Sequence, residues 1–153
     1  MTIAIAQARA DEPDTLRLIS ELDAYLAGLY PPESNYGLSI EQLRQPHVSF
    51  FILRHEGEAV GCGAFVNVGG EYAEIKRMYV RPASRGLKLG RRMLEFVEDS
   101  ARAVGLPLAR LETGPAQPEA LRLYERCGYV RRGPFGDYVD DPLSVFMEKA
   151  LQR

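Results

Sequence analysis

The sequence predicts an α/β (α+β) fold in which a mixed, mostly antiparallel central sheet is flanked by helices. Its 153 residues fit one domain over the whole chain, long enough to bury a core. Three β-rich runs at 48–55, 59–67 and 71–80 are separated by short glycine-containing turns, which is typical of an antiparallel meander. A helical pattern over 89–104 then leads to a strand at 106–113, and a crossover helix joins parallel neighbours.

The segment before the meander also carries local signals. Residues 2–9 alternate isoleucines with small residues and predict a short strand. Pro13 begins a helix with apolar residues at helical spacing, and this helix is expected to end at Tyr30-Pro31-Pro32. Ser39 and Gln42 form a capping-box pattern for a brief second helix.

The segment after the crossover completes the predicted sheet. Pro118 begins a helix that Gly128 closes. Residues 129–132 and 143–149 are β-rich and predict two terminal strands.

Composition and charge narrow the function classes. The formal charge is −2 and no apolar run is long enough to cross a bilayer, so we expect neither nucleic acid nor a membrane as a partner. The N-terminus lacks the pattern of a signal peptide, and Cys62 and Cys127 are too far apart for a metal or disulfide motif. With just two histidines as well, we expect a cytoplasmic protein without a metal.

The most informative stretch is 77–92, which contains six cationic residues and no acidic one: Arg77, Arg81, Arg85, Lys88, Arg91 and Arg92. It lies where a predicted strand passes through a glycine-bearing loop into a helix. Free N–H groups, the positive end of the helix dipole and arginines together suit a phosphate or pyrophosphate. The alternative is a solvated basic helix face. The phosphate-loop and dinucleotide-binding glycine patterns are both absent.

The run Arg85-Gly86-Leu87-Lys88-Leu89-Gly90 resembles the pyrophosphate loop, [QR]-x-x-G-x-[GA], of the GNAT superfamily of acyl-CoA-dependent N-acetyltransferases. Lys88 stands where the inner glycine of that pattern usually lies. The helix and exit Ala120-x-x-Leu123-Tyr124-x-x-x-Gly128-Tyr129 also resemble the family pattern, with Gln117 in place of the usual asparagine. The resemblance covers roughly residues 58–149.

This resemblance implies a fold in which strands 71–80 and 106–113 splay apart, so that the pantetheine arm of acetyl-CoA enters the gap and bonds like an added strand. It implies acetyl-CoA as the acyl donor, with no metal. The implied cofactor-binding residues are Met78, Tyr79, Val80, Arg85, Gly86, Leu87, Lys88, Leu89, Gly90, Arg91, Gln117 and Tyr124. We expect Met78, Tyr79 and Val80 to contribute backbone contacts.

The implied activity is transfer of an acetyl group to a primary amine of a small molecule or peptide, by direct attack in a ternary complex. Tyr124 occupies the family position of the acid that protonates the departing thiolate; the alternative is a packed aromatic. Glu74 is the candidate base, and its alternative is a strand carboxylate that pairs with Lys76 or Arg77. A competing function is a non-catalytic acyl-CoA-binding module.

Acceptor recognition is expected in two aromatic and acidic loops outside the cofactor motifs. The candidate substrate-binding residues are Tyr30, Glu33, Tyr36, Arg77, Asp137 and Tyr138. The acidic members, with Asp140 and Asp141, would attract a cationic amine, whereas Arg77 would favour an acceptor with a carboxylate. Ordinary turn chemistry is the alternative for these loops. The resemblance allows a monomer or a homodimer.

Overall fold

The computed structural model describes residues 2–152 and contains one seven-stranded sheet with the strand order β1-β2-β3-β4-β5-β7-β6. The strands are β1 (Ile3–Gln7), β2 (Val48–His55), β3 (Glu58–Val68), β4 (Tyr72–Val80), β5 (Leu108–Thr113), β6 (Val130–Arg132) and β7 (Val145–Ala150). The helices are α1 (Pro13–Ala27), α2 (Ile40–Leu43), α3 (Leu89–Ala103) and α4 (Pro118–Arg126), with short 3₁₀ turns at Pro32–Ser34 and Pro82–Ser84.

The pairing confirms the predicted mixed sheet. β4 and β5 are parallel, and the other neighbouring strands are antiparallel. Within the described residues, the β4–β5 register comprises Ala73 with Ala109 and Glu74 with Arg110. Beyond Glu74 the two strands separate, as the family resemblance implies.

A bulge in β4 changes which side chains face which side of the sheet. Ala64 pairs with Lys76 and Cys62 pairs with Tyr79, so Arg77 and Met78 together oppose the single residue Gly63. Before the bulge, Ile75 packs against α3; after it, Tyr79 packs on the α1 side, and Met78 lies towards α3. The inserted residue thus reverses the alternation of β4 at the point where β5 departs.

Three hydrophobic clusters hold the layers together. α3 and α4 cover one face of the sheet, with Met93, Leu94 and Val97 fully buried. α1 covers the N-terminal half of the opposite face. The loop 133–144 covers the C-terminal half of that face through Phe135, which packs on Tyr72 and Phe146.

Several element ends differ from the prediction, and two of these differences have a local hydrogen-bonding cause. α1 ends at Ala27, ahead of Tyr30, because the N–H groups of Leu29 and Tyr30 both turn back to the Leu26 carbonyl. β7 begins at Val145 because Asp141 accepts hydrogen bonds from the N–H groups of the next turn and keeps them out of the ladder. The capping box of α2 is confirmed. No helix among the described residues has the length and apolarity to span a bilayer.

Candidate active site

The separation of β4 and β5 opens a cleft of about 90 Å³ on the sheet. Its walls come from α1 and the following loop, the β4 bulge, the end of β5 and the start of α4. The residues that line it are Leu22, Leu26, Tyr30, Ser34, Asn35, Tyr36, Gly37, Ile75, Lys76, Arg77, Met78, Glu112, Thr113, Gly114, Gln117, Tyr124 and Leu143. Elements distant in sequence therefore converge on the gap that the fold itself creates.

The loop between β4 and α3 presents a run of unused backbone donors. Among the described residues, none of the six N–H groups of 86–91 donates to a protein acceptor, and the first helical bond runs from Arg92 N to Lys88 O. Gly86 has φ 96° and Lys88 has φ 58°, so the loop turns its backbone through left-handed conformations. This arrangement fits the pyrophosphate of acetyl-CoA, since N–H groups at a helix start bind anions.

Lys88 takes the backbone conformation that glycine provides in the family pattern. A left-handed φ is strained for a residue with a Cβ atom. Its side chain is exposed and adds a positive charge next to the loop. Arg85 is held beside it, with Nε donating to the Val80 carbonyl at 3.2 Å and Nη1 lying 3.4 Å from the Glu119 carboxylate.

The β4 bulge is fixed by Arg77, which has φ 57°. Its guanidinium is 6% exposed and forms an ion pair with Asp23 of α1 at 2.7 Å. Its Nε donates to the Leu38 carbonyl at 2.9 Å, and its own carbonyl accepts the Cys62 thiol at 3.2 Å. At the opposing Gly63, a Cβ atom would lie 2.5 Å from Met78 Sδ, so glycine leaves the room that the bulge requires.

Tyr124 of α4 lines the cleft beside Gln117. Its side chain is buried, and burial raises the pKa of its hydroxyl, which therefore stays protonated and able to donate. Tyr129 packs edge-on against it with ring centroids 5.7 Å apart. Tyr129 in turn donates to buried Glu98 at 2.7 Å, and Glu98 is paired with Lys149 at 2.9 Å. This packing orients the Tyr124 ring.

Glu112 of β5 lines the same cleft, and the sequence analysis assigned it no role. Burial raises the pKa of its carboxyl to about 7, against the opposing charge of Lys76. A carboxyl with this pKa can accept a proton near neutral pH. The alternation of β5, which puts Leu108, Arg110 and Glu112 on the less buried side, is the one signal that could have indicated it.

Glu74 lies on the same face as Lys76 but is already engaged. Its carboxylate accepts the Tyr138 hydroxyl at 2.5 Å and lies 3.2 Å from Lys76 Nζ. Lys76 Nζ also donates to Tyr138 Oη at 2.5 Å and to the Tyr36 carbonyl at 2.7 Å. The pairing with Lys76 that the sequence analysis gave as an alternative is therefore present.

Tyr30 and Gln117 meet in the lining of the cleft. The Tyr30 hydroxyl donates to Gln117 Oε1 at 3.0 Å. Tyr30 lies over Gly114, where a Cβ atom would fall 1.9 Å from the hydroxyl oxygen. A residue expected to contact the acceptor and one expected to contact acetyl-CoA are thus joined directly.

The structure brings together six of the residues that the sequence analysis singled out: Tyr30, Tyr36, Arg77, Met78, Gln117 and Tyr124 all line the cleft. Tyr79 is not part of the lining; its side chain is buried on the α1 side, and its hydroxyl donates to Glu21. Glu33 and Asp137 are exposed and lie outside the lining. In residues 2–152, no group of three His, Cys, Asp or Glu side chains is arranged to hold a metal.

Comparisons with known proteins agree with this geometry. Residues 15–129 match the model of the acetyltransferase (GNAT) family. The chain is 47% identical over 150 residues to the IAA acetyltransferase of Azospirillum brasilense, which covers 97% of this chain and 98% of that protein. A structure from Klebsiella pneumoniae, named provisionally as an acyl-CoA N-acyltransferase, superposes with a TM-score of 0.84 at 37% identity and covers 99% of both chains.

The fold is also that of the PaiA N-acetyltransferase from Thermoplasma acidophilum, solved with coenzyme A, at a TM-score of 0.73 and 18% identity over 98% of this chain and 99% of that one. The family match and the 47% identity show that the chain belongs to the GNAT family and is an acetyl-CoA-dependent N-acetyltransferase, as the motif resemblance predicted.

Proposed function

We propose that the cleft acetylates a primary amine by direct attack on acetyl-CoA while both substrates are bound. The observation that supports this most directly is that Glu112 and Tyr124, a proton acceptor and a proton donor with shifted pKa values, line one cleft at the β4–β5 separation. Acetyl-CoA supplies the activated acyl group as a thioester.

The chain's own groups would hold the donor at two places. The six N–H groups of 86–91, with Lys88 and Arg85 beside them, would bind the pyrophosphate. The free backbone edge of Met78–Val80 would bond the pantetheine arm as β5 would have done. One N–H on this edge would donate to the acyl oxygen as negative charge develops there. Gln117 would contact the same arm from the α4 side.

The amine must lose a proton before it attacks, because an ammonium has no lone pair. We propose Glu112 as the group that takes this proton, since it lines the cleft and its raised pKa suits a base near neutral pH. Glu74 remains the second candidate, acting through water. Its bonds to Tyr138 and Lys76 favour a role in holding the acceptor side of the cleft.

Attack of the amine forms the C–N bond, and collapse of the tetrahedral intermediate breaks the C–S bond. Tyr124 would donate its proton to the departing thiolate and recover one from the nitrogen, which must lose a proton to become the amide. Its buried hydroxyl stays protonated at neutral pH, so the proton is present when the thiolate leaves. Glu33, Asp137 and Tyr138 would contribute to acceptor recognition at the outer rim, and Tyr30 and Tyr36 would contact the acceptor inside the cleft.

The test begins with thermal unfolding in saturating acetyl-CoA. A ligand at 100 times its Kd should add about 2.7 kcal/mol, or roughly 5–10 °C for a chain of this length. Release of free CoA thiol is then measured with a panel of amines. A thermal shift with amine-dependent release supports the proposal. A thermal shift without release for any amine would favour the non-catalytic acyl-CoA-binding module, and no shift would contradict the proposed donor site.

A further inference from the structure

We propose that the acceptor is a small primary amine and not the amino terminus of a peptide, because three side chains fix the acceptor wall, residues 34–38, across the acceptor end of the cleft. This inference rests on the proposed function and deepens it. It concerns the part of the site that the cofactor motifs do not define.

Asp141 ties the acceptor wall to the loop 133–144. Its Oδ2 accepts from Ser34 Oγ at 2.9 Å and from Tyr36 Oη at 3.0 Å, while Oδ1 accepts the Leu143 N–H at 2.8 Å. These donors lower the pKa of the Asp141 carboxyl, with the Leu143 N–H as the largest cause, so it is ionised at neutral pH. Charge-assisted bonds of this kind are stronger than neutral ones.

Two consecutive side chains of β4 hold the same wall by hydrogen bonds to its backbone carbonyls. Lys76 Nζ donates to the Tyr36 carbonyl at 2.7 Å, and Arg77 Nε donates to the Leu38 carbonyl at 2.9 Å. Between these two carbonyls, a Cβ atom at Gly37 would lie 2.7 Å from Arg77 Cζ. The wall therefore rests directly on the β4 bulge, and both cations are already paired with anions inside the protein, Glu74 and Asp23.

An aromatic contact also holds the acceptor wall in place. Tyr36 packs edge-on against Tyr138 with ring centroids 5.3 Å apart, so the wall and the loop 133–144 are in contact as well as bonded. The cleft has a volume of about 90 Å³, and the acceptor must share it with the acyl group of the donor. An extended peptide would add about 3.3 Å of backbone for each residue behind its amine. A peptide chain that ran towards residues 34–38 would meet the wall that Asp141 and Lys76 hold in place.

The test compares isopropylamine with alanyl-glycyl-glycine amide, which carries the same branched amine followed by a peptide chain. Free CoA release gives kcat/KM for each acceptor, and calorimetry on the CoA-bound protein gives acceptor affinity independently of turnover. We expect at least a tenfold preference for isopropylamine in both measurements. The lower amine pKa of the peptide favours the peptide in turnover, so this bias opposes the expected result.

Asp141→Asn weakens the tie, and Glu71→Gln, which removes one negative charge at an exposed position outside the cleft lining, is the control. Asp141→Asn should move the preference at least fivefold towards the peptide, and Glu71→Gln should leave it unchanged. Ser34→Ala, which removes one of the same bonds, provides a second reading if Asp141→Asn folds poorly. Equal or better use of the peptide by the unmodified enzyme would overturn the small-amine inference and leave the acetyl transfer intact. If neither acceptor is acetylated, the proposed function fails for these two amines. The two affinities from calorimetry then still decide whether the site prefers the small amine to the peptide.

Discussion

The Tyr30 hydroxyl and the Gln117 side chain form a 3.0 Å hydrogen bond between positions 87 residues apart in the sequence. Tyr30 belongs to the segment after α1, and Gln117 is the residue immediately before α4. The bond lies in the lining of the cleft, next to Gly114. It makes the geometry on the acceptor side depend on the geometry of the segment that is expected to contact acetyl-CoA.

Gly114→Ala should disturb both sides of the cleft at once. The added Cβ atom would fall 1.9 Å from Tyr30 Oη, so the ring must move and the Gln117 bond must break. We expect at least a tenfold loss in kcat/KM and a weaker thermal shift with acetyl-CoA. Gly133→Ala is the control, since a Cβ atom there meets nothing within 4 Å. Equal kinetics for the two variants would contradict the role of the Tyr30–Gln117 contact.

Tyr124→Phe should separate binding from turnover. The phenyl ring keeps the packing against Tyr129, while the proton donor is lost. General acid groups typically contribute 10²–10⁴-fold, so kcat should fall at least tenfold and the acetyl-CoA thermal shift should remain. Tyr72→Phe, a buried tyrosine outside the cleft lining, controls for loss of a hydroxyl. A Tyr124→Phe enzyme with unchanged kcat would remove Tyr124 as the acid.

The rate should depend on pH through Glu112. Its carboxyl has a pKa of about 7, and the base is active when deprotonated, so kcat/KM should rise as the pH rises through about 7. Glu112→Gln should lower kcat/KM and abolish this rise. Glu74→Gln should retain the rise even where it alters KM, because Glu74 contacts Tyr138 and Lys76. A rise that vanishes in Glu74→Gln and persists in Glu112→Gln would exchange the two roles.

The same raised pKa predicts that the protein becomes less stable in the pH range where Glu112 becomes active as a base. The folded pKa of Glu112 is raised from 4.5 to about 7, so the folded state keeps its proton where the unfolded chain has lost it. Stability conferred by the protonated carboxyl is therefore complete below pH 4.5 and is lost as the pH rises through about 7. Glu112→Gln should be more stable than the unmodified protein above pH 7, by on the order of 2–3 kcal/mol, and similar to it near pH 4. Thermal unfolding at the two pH values measures this, and an equal difference at both would contradict the raised pKa.

Substitutions at Lys88 should separate the backbone strain at this position from the effect of its charge on acetyl-CoA binding. Its φ of 58° favours glycine, so Lys88→Gly should be more stable than Lys88→Ala by about 1 kcal/mol, although both lose the same charge. Thermal unfolding without ligand tests the strain, and titration with acetyl-CoA tests the charge. Both variants should bind acetyl-CoA more weakly than the unmodified protein does. If Lys88→Ala matches Lys88→Gly in stability, Lys88 is not strained in the free protein.

Local patterns in the sequence were sufficient to predict the helices and strands. Glycine turns, the Ser39 capping box and the periodicity of α3 are set by near neighbours, and the parallel strand pair follows from a single crossover. The Arg85–Gly90 segment predicted an anion-binding loop, and the N–H groups there lack protein acceptors within residues 2–152.

The acceptor side of the cleft could not be predicted, because it is built from contacts between residues far apart in the sequence. Arg77 pairs with Asp23 across 54 residues, and Asp141 bonds Ser34 across 107. Glu112 stood in a strand already identified, but its raised pKa comes from burial by elements that fold over it. The bulge at Arg77 was also absent from the prediction, because an inserted residue is visible only against the partner strand.

The parting of β4 from β5 has a consequence for how the molecule opens. Strands β1–β4 and strands β5–β7 behave as two half-sheets joined by a two-pair ladder and by the helix that crosses between them. Acetyl-CoA in the gap would hydrogen-bond to both strands, as a missing strand would, and so connect the two half-sheets. Of the amide hydrogens in 76–80 and 111–114, those that point into the gap, and not towards β3 or β7, should therefore exchange in the free protein well before those of β2 and β3. They should become protected together when the thioester arm is bound.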